Sequence, residues 1–143
     1  MADYKHAIAK VLPFEGYILN KKVGYVNDKD DSGGETIGGI AYNFWPEWGG
    51  WTIIHAAKKL PGFPVNLVGN MQLYGLLLAF YKVNFWDKIG GDFIASQTIG
   101  NNLVDSAVNE GIKPAIKRAQ EIVLLAQTGI ITPELVTKLN LLV

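Results

Sequence analysis

Cysteine is absent from all 143 residues, which excludes disulfides, thiol nucleophiles and cysteine-ligated zinc. His6 and His55 are the only histidines; they are too few for a histidine-based metal site and too far apart for the HExxH pattern. Arg118 is the single arginine, and 13 basic side chains balance 13 acidic ones, so the formal net charge is +0. Without a surplus of positive charge the chain lacks the electrostatic footprint of a nucleic-acid binder. Long hydrophobic runs are missing as well. The longest, Leu73 to Tyr81, contains Gly75, whereas a membrane span needs about 20 apolar residues. The N-terminus has no basic stretch leading into an apolar one, so the expectation is a chain made in the cytoplasm without a secretory signal or membrane insertion.

What is present favours an ordered fold. Hydrophobic residues make up 49%, aromatics 11% and charged residues 18%, which is incompatible with intrinsic disorder. The length suits one compact domain, and no internal repeat or low-complexity tract is visible. Residues 3–15 read as a helix with Tyr4, Ile8, Val11 and Leu12 on one face, kinked or ended by Pro13. Residues 16–50 differ sharply, holding eight of the 16 glycines, and Tyr25 to Thr36 carries Asp28, Asp30, Asp31 and Glu35 against Lys29 alone. That composition predicts loop or hairpin. Helical patterns follow over Trp51–Leu60, over a long buried Asn66–Lys88, over Thr98–Glu110 capped by Gly111, and over Pro114–Gln127 ended by Gly129. Thr132, Pro133 and Glu134 give a start signal for a last helix, Pro133–Leu142. The expected fold is mainly α, with a small Gly-rich, β-like lobe after the first helix. One domain is expected over 1–143, with 1–95 as a catalytic lobe plus central helix and 96–143 as C-terminal helices.

Glu15 stands where the first helix runs out, in line with Ile8 and Val11 on the apolar stripe. Desolvation raises the pKa of a carboxyl, and a carboxylic acid kept protonated near neutral pH can serve as a general acid. The acidic lobe after it could supply a second carboxylate, and two carboxyls flanking a sugar bond are the minimum for glycoside hydrolysis. By themselves the same residues also fit a solvated helix-end glutamate followed by a plain turn. The acids do not keep EF-hand spacing, so no metal site is assigned. Tyr42, Phe44, Trp45, Trp48 and Trp51 crowd the stretch beside the lobe. Each is either core or an exposed platform on which a sugar ring stacks. Trp86 reads as core and His55 as a surface or packing residue. Asp105 and Asn109 share a helix face, facing the lobe or each other.

The order Glu15-Gly16, Gly24-Tyr25-Val26-Asn27-Asp28, Asp31-Ser32-Gly33-Gly34-Glu35-Thr36 and Gly39-Ile40 resembles the family 108 glycoside hydrolases. These are phage-type muramidases, also described as secretion activating proteins. Tyr81 to Trp86, Leu103 to Gly111 and Leu125 to Asn140 resemble later segments of that family, the last its peptidoglycan-binding-like end. The family pattern sets Gly-Gly-Tyr directly after the glutamate. An ungapped match therefore puts Lys22 at the acid position, whereas an insertion of Tyr17 to Val23 keeps Glu15 there. The insertion is preferred because a helix leads into Glu15 and none leads into Lys22. Two further departures are Lys29 where the family has proline, and a tail reading Thr128-Gly129-Ile130-Ile131-Thr132.

The resemblance implies a lysozyme-like fold whose cleft hydrolyses the β-1,4 bond after N-acetylmuramic acid in bacterial peptidoglycan, without a cofactor. Glu15 would protonate the leaving oxygen, Asp28 or Asp31 would stabilise the transition state or orient water, and Thr36 would hold that water. Tyr25, Asn27, Tyr42, Trp45, Trp48 and Asn109 would contact the glycan. The enzyme would reach the wall through a holin or a secretion system. The rival expectation is a catalytically silent wall-binding or secretion-accessory protein of the same fold.

Overall fold

The computed structural model describes residues 1–142 and divides into two compact units. The first unit combines Met1–Val11 with the chain from Tyr81 onward. Helix α1 (Tyr4–Val11) buries Ala7, Ile8 and Val11. It ends before Pro13 rather than reaching residue 15, because proline disfavours helical backbone in the residue before it and cannot donate to the ladder. Glu15 consequently leaves the helical stripe and sits half-buried in a turn, its N–H donating to the Leu12 carbonyl at 3.0 Å. Helix α4 (Gln97–Glu110) packs against α1 and against α5 (Ile112–Ile122). Ser96 caps α4 by accepting from the Ile99 N–H at 3.3 Å, and Gly111 ends it with φ +104°. At the first unit's centre Trp86 is fully buried and donates to Asp92 at 2.8 Å.

The long helix expected over 66–88 is broken. A 3₁₀ turn covers Val65–Leu67, Gly69 turns left-handed at φ +78°, and Asn70 accepts from the Leu73 N–H at 2.9 Å to start α3 (Met71–Tyr81). A π-helical stretch over Lys82–Trp86 and a 3₁₀ turn over Asp87–Ile89 continue the chain until Gly90, again left-handed at φ +69°. Glycine adopts that conformation without a Cβ penalty, so Gly69 interrupts what the hydropathy pattern left continuous, and Gly90 ends the segment that follows. Helix α3 is not buried all round either: Met71, Gln72, Gly75 and Ala79 are exposed.

Helix α5 spans Ile112–Ile122 instead of 114–127. Pro114 fits its first turn, where a missing N–H costs nothing. Leu124 takes the left-handed terminating conformation, φ +62°, well before Gly129. The loop that follows is tied to α5 by buried Gln120, which donates to Thr128 Oγ1 at 2.8 Å and accepts from the Gly129 N–H at 2.9 Å. Helix α6 (Pro133–Asn140) starts as expected, Thr132 accepting from the Leu135 N–H at 3.2 Å.

The second unit, Leu12–Phe80, holds the β-lobe. Strands β1 (Val26–Asn27), β2 (Glu35–Ile37) and β3 (Ile40–Ala41) form an antiparallel sheet in that order. Gly38 (φ +53°) and Gly39 (φ +82°) make the two-residue turn between β2 and β3, and positive φ at both positions is what a type I′ turn needs. Ile37 and Ile40 face each other across it and are fully buried. Helix α2 (Gly50–Lys58) buries Trp51, Ile54 and Ala57 in the same unit. No helix among the described residues is long and apolar enough to cross a membrane. The architecture is the mainly α, lysozyme-like class with a small Gly-rich sheet after the first helix.

Candidate active site

Tyr17 to Val23 form a closed excursion. Ile18 pairs with Lys22 in an isolated antiparallel bridge, Asn20 turns at φ +67°, and Tyr17 and Val23 are buried at its two ends. Tyr17 stacks on Tyr74 with ring centroids 6.0 Å apart. The ends of the excursion meet at two glycines. A Cβ on Gly24 would stand 2.5 Å from the Gly16 carbonyl oxygen and 3.0 Å from its Cα. Backbone contact this close is open only to glycine. The residues after Glu15 and before Tyr25 are therefore in direct backbone contact, and Lys22 lies exposed on the excursion.

The acids of the lobe shape their own loop. Asp28 Oδ1 accepts from the Asp30 N–H at 2.9 Å, and Asp31 Oδ1 accepts from the Gly33 N–H at 3.0 Å. Both residues are exposed. These are Asx turns, in which a short carboxylate folds the backbone just after it. Thr36 lies half-buried in β2, paired with Val26 on one side and Ala41 on the other.

Glu35, next to Thr36, is the centre of a polar cluster with Tyr25, His55 and Lys58. Its carboxylate accepts from Tyr25 Oη at 2.8 Å, from His55 Nε2 at 2.7 Å and from the Lys58 ammonium. Because an ionised carboxylate only accepts, the His55 ring is the donor of this hydrogen bond, through an Nε2–H. Partial burial pushes the Glu35 carboxyl up, but hydrogen bonds from Lys58, His55 and Tyr25 outweigh it and bring it down to about 2. Glu35 is thus an anion at physiological pH and cannot be the proton donor. The Lys58 ammonium is held above its usual value, chiefly by the same hydrogen bond. Sequence reasoning missed this cluster. It took Glu35 as one acid of a loop and His55 as a surface or packing residue, although Trp51, His55 and Lys58 fall on one face of α2.

The aromatic residues separate. Trp51 is core, 3% exposed, with its indole N–H donated to the Trp45 carbonyl at 2.9 Å. Trp48 is half-buried, donating to the Leu76 carbonyl at 3.3 Å and packing edge-on against Trp51. Trp45 is 41% exposed with an edge contact to Phe80, and neighbouring Phe44 is 65% exposed. Tyr42 is half-buried, set edge-on to Trp51 and His55. Tyr25 turns its hydroxyl to Glu35 and its ring edge-on to Phe63. Asn27 is exposed on β1 opposite Glu35. Of the residues expected in the site, the second unit contains all except Asn109, which lies exposed on α4 of the first.

No curated protein matches the chain. Among solved structures, SagA of Brucella abortus is similar, with a TM-score of 0.57 at 23% identity, over 95% of this chain and 67% of that one. At this identity the likeness shows the fold alone. The profile of the family described as Glycosyl hydrolase 108 matches residues 8–111, more than half of the chain, from α1 through the β-lobe to the end of α4. The chain belongs to the glycosyl hydrolase 108 family.

Proposed function

We propose that this protein is a peptidoglycan hydrolase cleaving the β-1,4 bond after N-acetylmuramic acid, with Glu15 as the general acid. The observation that carries this reading is the backbone contact between Gly16 and Gly24. It restores the Glu-Gly-Gly-Tyr order in space although Tyr17 to Val23 intervene in sequence, and it favours Glu15 over Lys22. Glu15 protonates the departing glycosidic oxygen as the bond breaks. Asp28 or Asp31 supports the positive charge developing on the sugar ring or orients the attacking water, with Thr36 helping to hold that water. The chain carries no net charge to draw it to an acidic wall, so glycan affinity rests on hydrogen bonds and on stacking against Trp45, with Trp48 and Tyr42 beside it. The wall is reached through a holin or secretion system.

Clearing of purified peptidoglycan tests this. Wild type and Lys22→Ala should clear it. Glu15→Gln, isosteric but unable to donate the proton, should not, while melting like wild type. A Glu15→Gln protein that still clears the suspension overturns the assignment. A wild type that binds glycan without clearing it supports the silent wall-binding alternative.

A further inference from the structure

We propose that Glu35 is a positioning residue that locks the register of β2 and so fixes the face on which Thr36 is presented. This inference rests on the reading that Thr36 belongs to the hydrolytic site. Strand β2 is only Glu35–Ile37, flanked by Gly34 at φ +67° and Gly38 at φ +53°. Short strands between glycines specify their pairing weakly, and a slip of one residue would exchange the two faces of the strand. One face carries Glu35 and Ile37, opposite Asn27 and Ile40, and Ile37 and Ile40 are fully buried. The other carries Thr36 between Val26, 55% exposed, and Ala41. In native register Thr36 is therefore on the open face, and a slip would turn it toward the core.

Ile37 supplies one pin against that slip and Glu35 the other. Its carboxylate is held from three sides: Tyr25, just before β1, and His55 and Lys58, on successive turns of α2. These are also the titratable groups that face it from the elements packed around it. Charge-assisted hydrogen bonds are short and directional, so the anion ties β2 to both neighbours. The depressed Glu35 pKa agrees with this anchoring.

The experiment compares wild type, Glu35→Gln and Lys58→Met by hydrolysis of soluble glycan strands and by amide hydrogen exchange. Glu35→Gln should lower kcat about tenfold or more with KM within about twofold, since a displaced Thr36 affects the reacting centre and not glycan grip. Amide exchange at Thr36 and Ile37 should quicken by about tenfold or more while α4 keeps its protection. Lys58→Met, which leaves the Tyr25 and His55 donors, should move kcat and exchange the same way by less. Wild-type kcat in Glu35→Gln overturns the proposal. Faster exchange in α4 as well would mean that Glu35→Gln unfolds globally; Lys58→Met then decides, and wild-type kcat with unchanged exchange at Thr36 and Ile37 in that variant overturns the proposal. If wild type itself does not hydrolyse glycan, the hydrolase reading fails and exchange alone judges the lock: faster exchange confined to β2 sustains it, and unchanged exchange ends it.

Discussion

Gly24 lies against Gly16 so closely that a Cβ on Gly24 would stand 2.7 Å from the Gly16 carbonyl carbon. Gly24 also sits at φ +59°. Gly24→Ala should therefore lose about 2–4 kcal/mol of stability, from left-handed strain plus overlap. Gly62, at φ +86° with nothing nearer than Asn66 Cβ at 4.0 Å, is the control. Gly62→Ala should lose only about 1–2 kcal/mol for the backbone conformation. Urea denaturation of both variants measures the difference; equal losses would show that the Gly16 contact is not tight.

The second carboxylate can be found without disturbing the loop. Asparagine keeps the side-chain oxygen that accepts from the Asp30 N–H in Asp28→Asn and from the Gly33 N–H in Asp31→Asn. Both variants should stay within about 0.5 kcal/mol of wild-type stability, as exposed surface changes usually do. Only one of them should lose peptidoglycan clearing. Full activity in both would remove a second carboxylate from the mechanism.

Trp45 and Trp51 should respond in opposite ways to truncation. Trp51→Ala empties a core position and should cost about 3–5 kcal/mol of stability. Trp45→Ala should cost less stability but weaken chitooligosaccharide binding by about 1–3 kcal/mol, the order seen for aromatic stacking on other flat ligands. Melting curves and tryptophan fluorescence titrations on the two variants check both halves. Unchanged glycan affinity in Trp45→Ala would remove the stacking platform.

Glu35 makes a pH-dependent contribution whose sign follows from its depressed pKa. The carboxyl moves from an ordinary 4.5 to about 2 in the folded chain. Its stabilisation is complete above pH 4.5 and disappears as pH falls through the window from 4.5 to about 2. An undiscounted shift of this size corresponds to about 3 kcal/mol. His55 and Lys58 are 40% and 39% exposed, which reduces it to on the order of 1–2 kcal/mol. The stability gap between wild type and Glu35→Gln should therefore narrow on acidification, as read by denaturant titrations at several pH values. A pH-independent gap would contradict the ion-paired geometry.

Much of the fold is written locally. Thr132 and Pro133 start α6, Gly111 ends α4, and the Gly-rich acidic stretch forms turns and short strands, because caps, prolines and glycines act on their nearest neighbours. Trp86 as core was legible from the apolar run that leads into it. Less legible were the ends of helices set by non-glycine or mid-pattern residues. Leu124 ends α5 in a left-handed conformation that its side chain disfavours, stabilised by the Leu125 N–H donating to the Gln120 carbonyl at 2.8 Å. Gly69 interrupts a hydropathy pattern that looks continuous.

The sequence alone determined which residue types are available for chemistry: carboxylates, tyrosines and tryptophans, with no thiol and only two histidines. It also carried the ordered motif from Glu15 to Ile40. Tertiary structure decided which of these residues meet. The approach of Gly24 to Gly16, which closes Tyr17 to Val23 out of the motif, depends on a backbone distance that no local pattern encodes. Glu35 meeting His55 and Lys58 depends on how β2 docks against α2. The assignment of Trp51 to the core and Trp45 to the surface depends on which indole the neighbouring Phe80 and Tyr42 leave uncovered. Each is a contact between residues distant in sequence or a choice among equivalent side chains. Burial and hydrogen-bond satisfaction decide such cases only once the chain has folded.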